Sequence, residues 1–379
     1  MKIVIAPDSF KESLTALQVA QAIEAGIRQA CPDARTVCLP MADGGEGTTQ
    51  AIVDGTGGEL RHATITGALG EQREAAWGWL PDRCAVIEMA QAAGLEHADP
   101  AARNVRQASS AGVGELILAA LDAGAQRIIL GLGGSSTNDG GSGMMVALGA
   151  RLSDAQGKPL APGGAALAHL AHIDLSGLDA RLKRVRIELA CDVDNPLCGA
   201  SGASAIFGPQ KGATPEQVIE LDGALQRLAE VMSNTIGHDH RDTPGAGAAG
   251  GLGFAGLTVL NAEFRPGVAL VAELTGLAQA VSDADLVFTG EGRMDAQTLH
   301  GKTPVGVARV AQAAGVPVIA LVGSLGENYQ ATYAAGITAA FSLVPGPMTL
   351  AQACDTAATQ LTARACDIMR LWVAAAGQE

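Results

Sequence analysis

Aromatic side chains are scarce, at 3% of 379 residues: six Phe, three Trp and two Tyr. A protein that stacks nucleic-acid bases needs more of them. Positive charge is also short, with 25 Lys and Arg against 39 Asp and Glu and a formal net charge of −14. That balance argues against nucleic acid and against an anionic membrane as partners. The seven cysteines, at 31, 38, 84, 191, 198, 354 and 366, include no Cys-x-x-Cys pair. Neither a disulfide framework nor a zinc site is indicated, and a cytoplasmic location fits. Long apolar runs are missing as well. The longest uncharged window, 243–262, carries Pro244 and six glycines, which argues against a membrane span. The apolar run at the N-terminus is too short for a secretory signal.

Several catalytic signatures are absent too. No G-x-x-x-x-G-K-[ST] occurs, so a Walker-type NTPase is out, and the protein-kinase motif set is missing. No G-x-S-x-G opens a helix, and the seven histidines offer no clear triad partner. His238-Asp239-His240 reads as a polar loop, because zinc sites supply more ligands than this.

What the chain has in excess is glycine, 49 residues, nearly twice the usual share of about 7%. A hydrophobic content of 48% with 17% charged residues is that of a packed globular chain. The richest glycine stretch is Gly131-Leu-Gly-Gly-Ser-Ser-Thr-Asn-Asp-Gly-Gly-Ser-Gly143. It follows the aliphatic strand candidate 128–130 and precedes an apolar helix candidate. Strand, glycine-rich turn, polar cap and helix together can aim unpaired N–H groups at an anion. The same residues also suit an ordinary capped turn.

From the first residue, the pattern is a strand at 2–6, a helix whose cap is Thr15 or Ser13, and a strand at 36–39. The rhythm is β-α-β with a right-handed crossover. Short strands at 61–66, 74–79 and 85–89 then suggest antiparallel pairing. Further strands are expected at 185–190, 285–289, 316–322 and 337–343, with helices at 215–236 and 350–373. The spelling Gly245-x-Gly247-x-x-Gly250 has no strand before it, so it fails as a dinucleotide fingerprint. The fold class is α/β with two domains. Residues 1–60 and 282–379 form one doubly wound, flavodoxin- or Rossmann-like parallel sheet, and 61–281 form an inserted mixed-sheet domain.

Five strand-end loops carry polar groups: Asp8/Ser9/Lys11, Asp43/Glu46, Asn138/Asp139, Asp192/Asp194/Asn195 and Glu291/Arg293/Asp295. Open α/β sheets bind ligands at the carboxyl ends of their strands. Carboxylates for Mg²⁺, cations for phosphate and one base for an acceptor hydroxyl are what phosphoryl transfer requires. A second reading is an NAD(P)-dependent hydroxy-acid dehydrogenase, since residues 131–136 narrowly miss that fingerprint. Ser136 replaces its third glycine, and Asp154 would have to be the ribose ligand. A third reading is a non-catalytic sugar-acid binding protein.

Six motifs in order then resemble the glycerate kinase type-1 family, which includes the bacterial glycerate 2-kinases. They are Ala6-Pro-Asp-Ser-Phe-Lys11, Ala42-Asp-Gly-Gly-Glu-Gly47, Gly133-Gly-Ser-Ser-Thr-Asn-Asp-Gly-Gly141, Cys191-Asp-Val-Asp-Asn-Pro196, Phe207-Gly-Pro-Gln-Lys-Gly212 and Thr289-Gly-Glu-Gly-Arg-Met-Asp-Ala-Gln-Thr298. The resemblance spans essentially the whole chain. It implies two α/β domains with an active-site cleft between them, and ATP- and Mg²⁺-dependent phosphorylation of D-glycerate, most simply at the 2-hydroxyl. The partner is then a small molecule, with a homo-oligomer left open. Residue chemistry supplies the roles. Asp192, Lys11 and Asp8 are the catalytic candidates. Gly133, Gly134, Ser135, Ser136, Thr137, Asn138, Asp139, Glu291 and Lys302 are candidates for ATP. Ser9, Arg293, Lys211, Asn195 and Gln297 are candidates for glycerate, with Arg293 or Lys211 facing its carboxylate. Asp43, Asp192 and Asp295 are the metal candidates.

Overall fold

The computed structural model describes residues 1–97, 99 and 102–376. In chain order the strands are β1 (Lys2–Ile5), β2 (Arg35–Cys38), β3 (Glu59–Thr66), β4 (Gln72–Leu80), β5 (Cys84–Glu88), β6 (Arg127–Gly131), β7 (Arg151–Ser153), β8 (His172–Asp174), β9 (Arg186–Ala190), β10 (Glu263–Arg265), β11 (Leu286–Met294), β12 (Val318–Leu325) and β13 (Ala339–Ser342). The α-helices are α1 (Ala16–Ala30), α2 (Thr48–Thr56), α3 (Met89–Ala93), α4 (Ala111–Asp122), α5 (Ser142–Ala147), α6 (Ala203–Phe207), α7 (Pro215–Ile236), α8 (Ala248–Val259), α9 (Gly267–Leu274), α10 (Leu277–Val281), α11 (Thr303–Ala313) and α12 (Leu350–Ala376). They gather into two compact units. Unit 1 comprises Met1–Asp43, Gln50–Gly58 and Pro266–Glu379, and unit 2 comprises Gly44–Thr49 and Glu59–Arg265.

Unit 1 is built on a five-stranded sheet in the order β13-β12-β11-β1-β2, parallel at every pairing. The chain leaves β1 toward β2 on one side and returns through β11, β12 and β13 on the other. The order therefore reverses between β1 and β11, which is where such sheets take ligands. Alternation along the strands sends Ile3, Ile5, Leu286, Phe288, Ile319 and Leu321 to one face. There they pack with Val19, Ile23 and Ile27 of α1 and Leu361, Ala365 and Met369 of α12. Helix α1 starts where it does because Thr15 makes a reciprocal capping box with Gln18. Ser13 is engaged elsewhere, donating its hydroxyl to the Cys354 carbonyl.

Unit 2 is built on a six-stranded sheet in the order β10-β9-β6-β5-β4-β3. β3, β4 and β5 pair antiparallel, while β5, β6, β9 and β10 pair parallel. One core joins Ile87, Ile128, Leu130 and Leu189 of this sheet to Val113 and Ile117 of α4, Leu225 and Leu228 of α7, and Phe254 of α8. α7 begins at a second reciprocal capping box, Thr214 with Gln217, and has Pro215 in its first turn.

Three features differ from the sequence expectations. Helices α9 and α10 belong to unit 1, where both pack against α11, so the division falls at 265/266 rather than after 281. Residues Gly44–Thr49 belong to unit 2, because the Gly47 and Thr49 amides donate to the buried Glu88 carboxylate. Strand β11 runs to Met294 and not to Thr289, since β12 continues beside it and pairs Glu291 with Val322 and Met294 with Leu325.

Truncating Ile23, fully buried between the sheet and α12, is expected to cost about 2–5 kcal/mol in a denaturant titration of Ile23→Ala. Thr15→Ala, which removes one cap, is expected to cost about 1 kcal/mol in the same titration.

Candidate active site

The β1/β11 switch point in unit 1 carries a cluster of acids. Asp8 follows β1, and its amide donates to the Gly290 carbonyl at 2.9 Å. Its carboxylate accepts from the Ser9 amide at 2.7 Å, the Ser9 hydroxyl at 3.3 Å and the Thr303 hydroxyl at 2.5 Å. Thr303 is the first residue of α11 and is fully buried. Glu291, buried within β11, accepts from the Thr298 hydroxyl at 2.6 Å and faces the Lys302 ammonium at 3.6 Å.

Both acids are shifted. Burial pushes Asp8 up to about 7, and the nearby charges of Asp43 and then Glu291 push the same way against its hydrogen bonds. Burial likewise pushes Glu291 up to about 7, opposed by Thr298 and Lys302. Two carboxyls shifted toward neutrality at a strand-end switch point make this cluster the candidate functional site. Asp43, on the loop after β2, is partly buried. These carboxylates are hard oxygen donors of the kind Mg²⁺ takes in ones or twos, with water and phosphate completing its shell. Among the described residues no group of three or more His, Cys, Asp or Glu is arranged to hold a metal ion.

The remaining unit 1 candidates are less enclosed. Lys11 is exposed, next to Phe10, which is buried in the core. Arg293 is 68% exposed, and its Nε lies 3.2 Å from Asp295. Asp295 also caps the short turn Ala296–Leu299, accepting from the Gln297 amide at 2.9 Å. Gln297 itself is exposed. Asp295 is therefore committed to capping and to Arg293, whose side chain is otherwise largely exposed.

In unit 2 the glycine-rich loop is mostly interior. Gly134 is exposed and Gly133 half-buried, but Ser135, Ser136, Thr137, Asn138 and Asp139 are all buried. Asp139 accepts from the Ser110 amide and hydroxyl and from the Gly141 and Gly143 amides, at 2.8–3.1 Å. Burial still raises its pKa. Lys211 is 1% exposed and donates to the Ser135 hydroxyl at 2.8 Å and the Thr137 carbonyl at 2.6 Å. Burial pulls its pKa down to about 7, with Asp139 opposing. Lys211 thus sits behind the loop and braces it, a different place from the substrate-facing one the sequence suggested. The Ser136 hydroxyl donates to the Ala93 carbonyl, and the Asn138 amide to Ser204. Two buried atoms stay without partners, Thr137 Oγ1 and Asn138 Oδ1.

Close packing explains the glycines here. A Cβ on Gly133 would lie 2.8 Å from the Gly45 Cα, and one on Gly250, at φ +67°, would lie 2.0 Å from the Thr137 carbonyl oxygen. The segment 245–250 is thus the backing of the 133–143 loop, with the Gly140 amide donating to the Gly250 carbonyl. After β9, Asp192 is exposed, while the Asn195 side chain donates to the Ser201 carbonyl at 2.8 Å. Asp154, which a dehydrogenase would need for ribose, is spent on a turn with the Gln156 and Lys158 amides.

The sequence reading passed over Glu88, Ser110, Ser204 and Thr303. Only Glu88 carried a signal, as a lone acid closing the apolar strand Cys84–Glu88.

The fold and the clusters define a two-unit α/β enzyme whose strand-end acids and cations suit phosphoryl chemistry, a kinase. A sequence model of the glycerate kinase family matches residues 3–373, and the chain belongs to that family. It is 53% identical over 369 residues to a glycerate kinase of Bacillus subtilis, covering 97% of each chain. It is 51% identical over 354 residues to the glycerate 2-kinase of Escherichia coli, covering 93% of each. A crystal structure from Salmonella typhimurium LT2, assigned as glycerate kinase 2, superposes with a TM-score of 0.91 at 50% identity over the full length of both chains. No described helix is long and apolar enough to cross a membrane.

A carboxyl that keeps its proton up to about pH 7 when folded, but only to 3.8 when unfolded, makes folding less favourable as pH rises between those values. In metal-free buffer, Asp8→Asn is therefore expected to raise stability at pH 8 by on the order of 1–3 kcal/mol. At about pH 3, where Asp8 is protonated in the folded and the unfolded chain alike, thermal melts of the two proteins are expected to be nearly the same.

Proposed function

We propose that this chain transfers the terminal phosphoryl group of ATP to D-glycerate, at the 2-hydroxyl, giving 2-phosphoglycerate and ADP. The observation that carries the reading is the Asp8–Glu291 cluster, with both acids held near pH 7. The kinship to glycerate kinases supports the choice of substrate.

Asp8 in its ionised form is the base. It accepts the proton of the acceptor hydroxyl as that oxygen bonds to phosphorus and the bond to the ADP oxygen breaks. A carboxylate with a pKa near 7 combines adequate basicity with a usable ionised fraction at neutral pH. Ser9 and Thr303 fix its orientation through the bonds described above. Lys302 and Lys11 hold phosphate oxygens. Lys302 is kept in place by Glu291, and Lys11 is exposed on the loop after β1. Arg293, largely exposed, offers its guanidinium to the glycerate carboxylate, a bidentate fit that lysine lacks. Gln297, exposed beside Arg293, is a secondary contact for the substrate hydroxyls.

Asp43 with Glu291 would hold Mg²⁺, and the ion would supply neutralisation of the charge shared by the phosphates. The Gly133–Gly134 backbone in unit 2, the accessible part of its loop, is the anion contact of that unit. The buried side chains from Ser135 to Asp139 act by holding that backbone in shape.

Turnover of ATP by the purified protein is expected only when D-glycerate is present. Asp8→Asn is expected to lower kcat by about 10²–10⁴ while the protein still melts cooperatively. The value of kcat/KM for glycerate is expected to climb with pH through about 7 as Asp8 loses its proton. Full activity in Asp8→Asn would remove Asp8 from the mechanism.

A further inference from the structure

A cavity in unit 1 is lined by residues of which only Lys11 has a place in the chemistry above. It measures about 250 Å³ and lies beyond the carboxyl ends of three parallel strands, reaching Gly292 of β11, Ser324 of β12 and Leu343 just past β13. Its far wall is the first turns of α12, and Lys11 stands at its border. The walls are mainly apolar, with Phe10, Leu343 and Met348 among them.

We propose, on the premise that the chain uses a nucleoside triphosphate, that this cavity seats the purine base. Four observations converge. The position is right, since ligands of open α/β sheets sit outside the carboxyl ends of the strands, beside the point where strand order reverses. The size is right for part of a ligand, because pockets for whole drug-sized molecules span roughly 300–1,000 Å³. The surface is right for a flat ring. Gly292 and Gly323 present bare backbone in the wall, and β11 and β12 approach so closely there that a Cβ on Gly323 would lie 2.4 Å from the Gly292 carbonyl oxygen.

The polar complement is also that of a base. Gln360, half-buried on α12, brings an amide with both a donor and an acceptor to the cavity. That pair matches the amino group and N7 of adenine, and it mismatches guanine, whose O6 and N7 at that edge both accept. Lys11, on the same loop as Asp8, then receives the phosphates as they leave the cavity toward the acids. The base thereby gains a site of its own, distinct from the residues that handle phosphate.

Two variants of the full chain test this. Ala353 lines the cavity from the half-exposed side of α12, so Ala353→Trp fills it from the surface. Calorimetric titration of this variant is expected to show ATP and adenosine binding weakened at least tenfold, with tripolyphosphate binding unchanged. Gln360→Leu leaves the volume alone. It is expected to weaken ATP several-fold and to erase the preference for ATP over GTP, with the KM for glycerate unaltered. If Ala353→Trp does not fold, Gln360→Leu decides. ATP binding within twofold of the parent in both variants would overturn the assignment while leaving the kinase reading intact. A parent chain that binds no ATP at all would overturn both.

Discussion

The parallel pairing of β1 with β11 places two acids where neither is comfortably ionised. Ile3 to Ile5 pair with Leu286 to Phe288, so the loop after β1 and the upper half of β11 emerge side by side. Asp8 and Glu291 rise from them into a poorly hydrated space, and each feels the other's charge or that of a neighbouring aspartate. Hydrogen bonds from Ser9, Thr303 and Thr298 and the ammonium of Lys302 hold the pair in place without restoring ordinary acidity. Strain of this electrostatic kind costs stability. It is tolerated because the hydrophobic sandwich of α1, the sheet and α12 lies directly beneath.

Unit 2 solves a different problem with buried charge. Its glycine-rich loop must keep one irregular shape, and Asp139 and Lys211 brace it from inside. Asp139 gathers four donors from two helix starts, and Lys211 ties down Ser135 and Thr137. Glu88 does the same for the strap Gly44–Thr49. Removing one partner from such an arrangement leaves a buried charge unpaired, which costs far more than the pair contributes when intact. The exposed Gly133–Gly134 tip is thus the visible end of a rigid interior network.

Much of this could be read from the residues alone. Alternating strands and helices, with acids at the strand ends, put Asp8 and Glu291 among the candidates of five polar loops, although an acid at such a place can equally cap a helix, as Asp295 does. The kinase family followed from six ordered motifs. Position in depth was not readable. Lys211 looks like any loop cation in sequence, and only its burial and its bonds to Ser135 and Thr137 reveal it as interior. The three residues Gly290, Gly292 and Gly323 looked like loop formers, whereas here they let β11 and β12 stay paired past the sheet's edge. Helices α9 and α10 are short and apolar on most sides, so their periodicity could not say which sheet they serve.

The account's central claim is a reaction, and ³¹P NMR of the purified chain with ATP, Mg²⁺ and D-glycerate reads it directly. The predicted result is a growing phosphomonoester resonance matching 2-phosphoglycerate, together with ADP, that stops when Mg²⁺ is chelated. ATP that stays intact with D-glycerate present, or a product phosphorylated at the 3-hydroxyl, would contradict the account.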